Sequence, residues 1–282
     1  DAVYKDDLFA FARRNGYRTA LVGKNHAHLK PQDADCWRPY NHFAQQGKVD
    51  EKARAFNRYL GTTDMYASYD PAPFGAEMQH PHRMVDDALQ WIGGDDDKPF
   101  MMWLSFPEPH NPYQVSEPYY SMFPPEKLPP VRTGLKDLAV KGPEYELLHE
   151  MMSLGHAGYY EHLDRLRSNY LGMIRLIDDQ IARLVEQLRK DGTYENTVFV
   201  VTADHGDFAG EYGLMKKGVG LSDIVARVPF VWFGGPVPAQ GLSSAHVSLV
   251  DVFPTFCEMA GGEIPEGVQG RSLIEVIRGG DY

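Results

Sequence analysis

The stretch of sequence that decides the fold is Val198–Gly218, VFVVTADHGDFAGEYGLMKKG. Its apolar start, extended back to residue 196, predicts a buried strand over 196–203, because a short apolar run bounded by turn residues is typical of parallel sheets. Asp204, His205 and Gly206 follow at the carboxyl end of this strand, where α/β sheets gather their ligands. A carboxylate beside an imidazole suits a divalent cation. The alternative interpretation is a polar turn in which Asp204 caps a following helix.

The rest of the chain places this strand in an alternation of helices and strands. Apolar residues recur at spacings of three and four from Leu163 to Leu188, which predicts a long amphipathic helix that ends at Asp191-Gly192. Residues 30–80, apart from a helical patch at 50–60, and the proline-rich stretch 107–143 are predicted to be long loops. The pattern indicates an α/β fold with a mostly parallel central sheet flanked by helices. The other predicted elements are buried strands at 17–22, 99–106 and 228–233, and helices at 5–15, 85–92, 249–260 and 272–277.

Composition and charge exclude several classes of protein. Hydrophobic residues make up 43% of the 282 residues and charged residues 24%, which are values of a globular protein. Lys and Arg number 28 against 39 Asp and Glu, and this net charge of -11 argues against a nucleic-acid surface. The longest apolar runs are strand-sized, well short of the ~20 residues that a membrane helix needs. Two cysteines are too few for a disulfide framework.

Two further strand ends carry polar side chains. Lys24, His26 and His28 follow the strand at 17–22, and in an extended segment they lie on one side, where they could hold an anion and supply a proton. His110 follows the strand at 99–106 between three prolines that restrict the backbone, which favours a positioned acid or ligand. The alternative interpretations are a solvated loop with scattered histidines and a turn with an incidental histidine.

These strand ends, in this order, resemble a known family. The stretch GYRTALVGKNHAHL (16–29) resembles G-Y-x-T-x-x-x-G-K-W-H-L-G, and 198–218 resembles a strand followed by S-D-H-G or S-D-N-G and then G-L-x-x-K-G. ARVPFVWFGG (226–235) and HVSLVDVFPTFCEMAG (246–261) are similar to the strand and helix that come next. All four are motifs of the sulfatases of the alkaline phosphatase superfamily. The resemblance spans nearly the whole chain and implies one sulfatase-like α/β domain over residues 1–282.

The resemblance also implies two kinds of site residue. Asp204 and His205 would coordinate a divalent cation, most commonly calcium, with magnesium or manganese as alternatives. Another four residues would contact the sulfate group or the catalytic aldehyde hydrate, and these are Lys24, His26, His110 and Lys217. Lys216 takes the place of Lys217 if the register slips by one.

One family motif is absent from this sequence. The sulfatase nucleophile is a formylglycine made from the Cys or Ser of C/S-x-P-x-R, and neither cysteine fits: Cys36 is followed by Trp37-Arg38-Pro39, and Cys257 lies in the apolar closing helix. The family's first strand with an Asp-Asp metal pair and its small C-terminal subdomain are likewise not found. We therefore expect a chain truncated at both ends that is inactive by itself.

The sequence thus predicts a sulfuric ester hydrolase whose formylglycine nucleophile lies outside this chain. A phosphonate monoester or phosphodiester hydrolase of the same superfamily is one alternative, and a non-catalytic fragment that binds anions or partners is another. The expected partner is a small-molecule or saccharide sulfate ester. Many similar sulfatases are exported, which favours a periplasmic or secreted protein and leaves a cytoplasmic one open.

Overall fold

The structure, a computed structural model, describes residues 6–63, 67–94, 97–156, 158–218, 220 and 222–280. Strands and helices alternate along most of the described chain, and this confirms the α/β class. The strands are β1 (Arg18–Gly23), β2 (Cys36–Asn41), β3 (Ala44–Gln45), β4 (Phe100–Ser105), β5 (Val198–Thr202) and β6 (Phe230–Gly234). The helices are α1 (Leu8–Arg14), α2 (Glu51–Thr62), α3 (His80–Ile92), α4 (Tyr119–Met122), α5 (Pro143–Gly155), α6 (Leu163–Lys190), α7 (Asp223–Ala226), α8 (Val252–Met259) and α9 (Ile274–Ile277).

Strand β1 is the central strand of a four-stranded sheet with the order β3-β2-β1-β4. It runs parallel to β2 on one side and to β4 on the other, with Leu21 opposite both Trp37 and Trp103. All residues of β1 after Arg18 are buried, as expected for a strand with neighbours on both sides. The parallel pairing brings the carboxyl ends of β1, β2 and β4 to the same edge of the sheet.

Strands β5 and β6 form a separate antiparallel pair among the described residues, with Val200 opposite Trp232. The antiparallel direction of β6 makes the fold mixed, although the three long strands of the other sheet are parallel.

The expectation that the strands at 99–106 and 196–203 are buried is wrong in part. Trp103 of β4 is 46% exposed and Val200 of β5 is 36% exposed, because each strand is an edge strand in the described structure.

Helix α6 joins the two sheets. Its residues Leu184 and Leu188 are buried together with Val85 of α3, and this cluster packs against Leu104 of β4 and Phe199 of β5. The long apolar stripe predicted from the sequence is therefore the surface on which both sheets rest, and the predicted start and end of the helix are confirmed.

The region 30–80 differs most from the expectation of long surface loops. It contains β2, which pairs with the central strand, and the short antiparallel strand β3. Pro39 hides β2 in the sequence, because a proline within a run argues against a strand in a sheet. It is tolerated because β2 pairs at this residue in parallel with Gly23 and the Pro39 carbonyl accepts a hydrogen bond from Gln46 N–H.

Several helices differ from the prediction: the short helix α4 lies within the predicted loop 107–143, and the short helix α7 was not predicted. Helix α3 begins at His80, five residues before the predicted start, with Pro81 in its first turn, where the missing N–H of proline costs nothing. Helix α5 lies where only the end of a loop was expected, and it also begins with a proline, Pro143. Helix α1 begins at Leu8 after an Asp7 cap; the predicted start, Lys5, lies outside the described residues.

In the described part of the chain, no helix combines the length and apolarity that a bilayer crossing requires.

Gly23 at the end of β1 provides a test of the packing between β1 and β4. Its backbone has φ +122°, and a Cβ atom would lie 2.0 Å from the Ser105 carbonyl oxygen and 2.5 Å from Met84 Cε. We expect Gly23→Ala to lower the free energy of unfolding by about 2 to 3 kcal/mol, because both the conformation and the space exclude a side chain.

Urea unfolding measures this effect, with Gly61→Ala as the matched control. Gly61 lies in α2, and nothing stands within 4 Å of the position that a Cβ atom would take there, so alanine should stabilise the helix by roughly 0.5 kcal/mol. Equal midpoints for the Gly23 variant and the parent protein would contradict the close approach of the two strands.

Candidate functional site

The ends of β1 and β5 meet although 180 residues separate them in sequence. Lys24 Nζ lies 3.4 Å from Asp204 Oδ2, and the lysine side chain is mostly buried while the carboxylate is exposed. Two of the predicted strand ends therefore share one location, and His110 at the end of β4 lies near enough to Lys24 for the lysine to lower its pKa. The structure brings together three strand ends that the sequence analysis singled out separately.

The position of Lys24 follows from the tight pairing of β1 with β4. Lys24 N–H donates a 2.8 Å hydrogen bond to the Ser105 carbonyl, directly after the glycine at which the strands touch. This bond fixes the backbone at the point where the side chain leaves the sheet. The ammonium group is thus held at the strand edge with little freedom.

The turn after β5 positions Asp204 and His205. Gly206 permits this turn, because a Cβ there would lie 2.1 Å from the Ile224 carbonyl oxygen, and its N–H donates to the Val225 carbonyl at 2.7 Å. His205 Nδ1 lies 2.8 Å from the Gly206 carbonyl oxygen. Since a carbonyl only accepts, Nδ1 carries a proton, and Nε2 is the nitrogen that keeps a lone pair in the neutral form of the ring.

This arrangement fits half of a metal site. A carboxylate next to an imidazole whose second nitrogen is held by a backbone carbonyl is the donor chemistry of a divalent cation site. Across the residues that the structure describes, no group of three or more His, Cys, Asp or Glu side chains could hold a metal ion. Asp204 and His205 can thus supply two ligands, and further ligands would have to come from outside this group.

Charge determines the protonation of Asp204. Burial raises the pKa of its carboxyl group, but Lys24 and His205 together outweigh burial, and the net effect is a lowered pKa. The carboxylate is therefore ionised at neutral pH, as a metal ligand or a partner of Lys24 must be.

His110 is held in one orientation by its own loop. Its Nδ1 lies 2.7 Å from the Asn111 carbonyl oxygen, so Nδ1 donates and Nε2 is free to accept or, when protonated, to donate. Burial lowers the pKa of His110; the bond to Asn111 opposes this, and Lys24, Lys216 and His205 add to the lowering. The ring is thus mostly neutral at neutral pH.

Buried contacts with the start of α3 anchor the loop that carries His110. Glu108 Oε1 lies 3.3 Å from His80 Nδ1, and both side chains are almost fully buried. Further along the loop, the side-chain amides of Gln114 and Gln79 exchange two hydrogen bonds at 3.0 and 3.2 Å. Because a broken buried polar pair is costly, these contacts keep the loop in place.

His42 belongs to this site and was missed by sequence analysis. It lies in the turn between β2 and β3, and its ring stacks on His110 with centroids 3.6 Å apart and planes 22° apart. His26 makes an edge contact with the same ring, with centroids 5.9 Å apart. Burial lowers the pKa of His42 to about 3, with further lowering by His110, Lys24 and His26. His42 directly follows β2, and this position at a strand end would have made it a candidate. The strand was not predicted because it contains Pro39.

His26 and His28, which were predicted to lie on one side with Lys24, point to different places. His26 is exposed and lies at the site through its contact with His42. His28, in contrast, turns away and contacts Asp7 Oδ2 at 2.8 Å through Nε2, at the cap of α1. The common side predicted for Lys24, His26 and His28 therefore holds only for the first two, because the segment leaves the extended conformation after β1.

Of the two adjacent lysines, Lys216 is partly buried, its backbone N–H donates to the Tyr113 hydroxyl in the loop that carries His110, and its charge lowers the pKa of His110. Lys217 is exposed, and its role as a sulfate contact stays a prediction. Lys216 has a left-handed backbone with φ +65°, a conformation that costs a non-glycine residue roughly 1–2 kcal/mol. Ala209 and Tyr212 in the same loop are also left-handed, with φ of 45° and 58°.

The assembled site can bind a tetrahedral anion. Ammonium groups, imidazole rings of fixed tautomer and one carboxylate converge at the edge of the sheet, and preorganised donors of this kind stabilise charge that develops during ester hydrolysis. A chain with a net charge of -11 can bind an anion when its positive charge is concentrated in one place.

Comparison with known proteins identifies the family of the chain. The model of the Sulfatase family matches residues 2–262. An arylsulfatase of Clostridium perfringens is 28% identical over 304 residues, which cover 97% of this chain and 62% of the relative. The chain spans between 23% and 62% of the length of eight curated relatives that it matches.

Solved structures share the fold. A phosphonate monoester hydrolase of Agrobacterium radiobacter superposes with a TM-score of 0.81 at 23% identity, covering 100% of this chain and 63% of that protein. A protein solved in complex with its substrate D-glucosamine-2-N,6-O-disulfate superposes with a TM-score of 0.68 at 21% identity, covering 97% and 64% of the two chains. At these identities the likeness extends to the fold alone.

The stacked His42 predicts a pH dependence of stability. Its folded pKa of about 3 lies below the value of about 6.5 expected in the unfolded chain. The unfolded state therefore binds more protons below pH 6.5, and stability falls as the pH drops from there towards 3. We expect His42→Asn to show a smaller loss of unfolding free energy between pH 7 and pH 4.5 than the parent protein.

Urea unfolding at several pH values measures the two slopes. Imidazole resonances in NMR supply a direct control, since the His42 ring should stay neutral at pH 5. Identical slopes, or a His42 ring that protonates near pH 6.5, would show that it does not lie buried against His110.

Proposed function

Because this chain belongs to the sulfatase family, we propose that it is the part of a sulfate ester hydrolase that binds the sulfate group. The nucleophile of the proposed enzyme is a formylglycine from a segment outside these 282 residues, since no C/S-x-P-x-R motif occurs in the sequence. The single observation that carries the proposal is the 3.4 Å contact between Lys24 Nζ and Asp204 Oδ2, which brings together two motif residues that lie 180 positions apart in the sequence.

The chain's own residues would bind and orient the ester. A sulfate monoester carries one negative charge, and negative charge grows on the leaving oxygen as its bond to sulfur breaks. Lys24 and one of the lysines at 216 and 217 would stabilise this charge, and His110, with Nε2 free, would contact the sulfate group. His26 would assist proton transfer to the leaving group or from the attacking one.

Asp204 and His205 would hold a divalent cation, with calcium as the first candidate and magnesium or manganese as alternatives. The fit rests on the ionised carboxylate and on the lone pair at Nε2 of His205. Such a cation supplies positive charge next to the reacting oxygens when it is bound. Hard oxygen donors are typical for calcium, so the imidazole at this position makes manganese a serious competitor.

The substrate class of the proposal is a small-molecule or saccharide sulfate ester. The neighbour in complex with a glucosamine disulfate supports a fold that can take sulfated sugars. A place outside the cytoplasm is also part of the proposal, because relatives from Caenorhabditis elegans and Drosophila melanogaster are named extracellular sulfatases.

Hydrolysis of phosphonate monoesters or phosphodiesters is the second candidate. The same fold carries a phosphonate monoester hydrolase, and a phosphoryl group is also a tetrahedral anion that two lysines and a cation can bind. The fold does not distinguish the two activities, so they must be separated by turnover.

Matched assays test the activity in the complete protein that contains this chain. We expect turnover of an aryl sulfate to exceed turnover of an aryl phosphonate monoester. We also expect Lys24→Met to lower kcat/KM for the sulfate by about 100-fold or more, because it removes a charge that stabilises the transition state.

The matched control is Lys52→Met, the same change at an exposed lysine on α2, which should leave kcat/KM unchanged. A strong preference for the phosphonate would establish the second candidate in place of the first. Full activity of the Lys24 variant would contradict the site itself.

The 282 residues by themselves should not turn over any sulfate ester, even with calcium or manganese added, because they lack the nucleophile motif. The measurement is product release from an aryl sulfate at high protein concentration. Turnover by this chain alone would show that the account of the nucleophile is wrong. A complete protein that is also inactive would favour a non-catalytic anion-binding role.

A further inference from the structure

The backbone of Lys216 is held by hydrogen bonds with Asp207, Phe208 and Tyr113, and the proposed reaction does not explain these contacts. The backbone N–H of Lys216 lies 3.0 Å from Asp207 Oδ1 and 3.1 Å from the Tyr113 hydroxyl oxygen. The Phe208 N–H donates to the Lys216 carbonyl at 2.9 Å. The N–H and the carbonyl of Lys216, whose backbone is left-handed, are thus both hydrogen-bonded to residues 207 and 208.

Asp207 is fully engaged in this network. Its Oδ1 accepts from the N–H groups of Lys216 and, at 2.8 Å, Ala209, while its Oδ2 accepts the Tyr113 hydroxyl proton at 2.7 Å. A carboxylate that accepts hydrogen bonds from three donors holds these three groups together. Its neighbour Ala209 is itself left-handed, so the carboxylate bonds to two residues whose backbones are strained.

Tyr113 connects this network to the loop of His110. Its side chain is fully buried, and its carbonyl accepts a 2.9 Å hydrogen bond from Asn169 of α6. Tyr113 follows His110 closely in the same loop. The Tyr113 hydroxyl therefore ties the segment that carries Lys216 to the loop that carries His110, with the long helix as support.

We propose that Asp207 and Tyr113 are positioning residues that hold Lys216 in its left-handed conformation and so keep its ammonium group at the anion site beside His110. The chain has two adjacent lysines, and side chains of consecutive residues leave the backbone in different directions. The network therefore selects Lys216 as a charge of the site, whatever Lys217 contributes. This inference rests on the anion site of the proposed function.

A double-mutant cycle tests whether Asp207 acts through Lys216. The probe is inorganic sulfate, titrated against the 282-residue chain by NMR and calorimetry. We expect Asp207→Asn and Lys216→Met each to weaken sulfate binding about tenfold, the loss of a charge-assisted contact. In the Lys216→Met background, Asp207→Asn should have no further effect.

Lys217→Met is the matched control background. There Asp207→Asn should still weaken sulfate binding about tenfold, because its target, Lys216, remains. Effects that add in both backgrounds would overturn the proposal, since Asp207 would then act independently of Lys216. Tyr113→Phe removes one hydroxyl and should weaken binding in the same way with a smaller effect, and it replaces Asp207→Asn if that variant unfolds.

A second readout needs no ligand and separates this proposal from the proposed function. The charge of Lys216 lowers the pKa of His110, so Lys216→Met should raise the pKa of the His110 imidazole as followed by NMR. Tyr113→Phe changes no charge and should raise it in the same direction, and Lys217→Met serves as the comparison. Asp207→Asn is not used for this readout, because losing its negative charge would by itself lower the pKa of a nearby imidazole. If the parent chain binds no sulfate, the anion site fails, and the His110 titration alone decides the positioning role. A folded Tyr113 variant with an unchanged His110 pKa would overturn that role.

Discussion

The parallel pairing of β1 with β4 is the constraint on which the site depends. Gly23 lies so close to Ser105 that the two strands must end together, and the next residue, Lys24, is bound by its N–H to the same Ser105 carbonyl. Parallel direction then brings the ends of both strands to one edge, which is where α/β sheets bind ligands. Lys24 directly follows β1 and His110 comes five residues after the end of β4, so both lie at this edge, where the lysine lowers the pKa of His110.

The second constraint is the arrangement of charge in an acidic chain. Each imidazole in the interior of the site is held neutral by burial and by nearby ammonium groups, so the lysines carry the positive charge. Each of two rings, His110 and His205, donates from Nδ1 to a backbone carbonyl and thus keeps Nε2 available. The site therefore combines permanent cations with rings of defined tautomer, a combination suited to binding an oxyanion and moving a proton.

Sequence reasoning worked where periodicity or a glycine carries a physical signal. The stripe of α6 was predicted from its spacing, and the turn at Gly206 from the need for a residue without a side chain. It failed at β2, because Pro39 normally excludes a strand, and at α5, because a proline at the first position of a helix looks the same as a proline in a loop. Because β2 was not predicted, His42 was not predicted either, since its place in the site depends on that strand.

The sequence by itself determined the α/β class, the order of the strand ends and the residue types that gather there, since local periodicity and turn residues encode these directly. It identified Lys24, Asp204, His205 and His110 as separate candidates. Only the tertiary structure decided that Lys24 reaches Asp204, that His28 turns away, and that the backbone of Lys216 bonds to Tyr113 in the loop of His110. Those outcomes depend on contacts between residues far apart in sequence, and on the left-handed backbone of Lys216, which buried partners stabilise. No local sequence pattern encodes either of these.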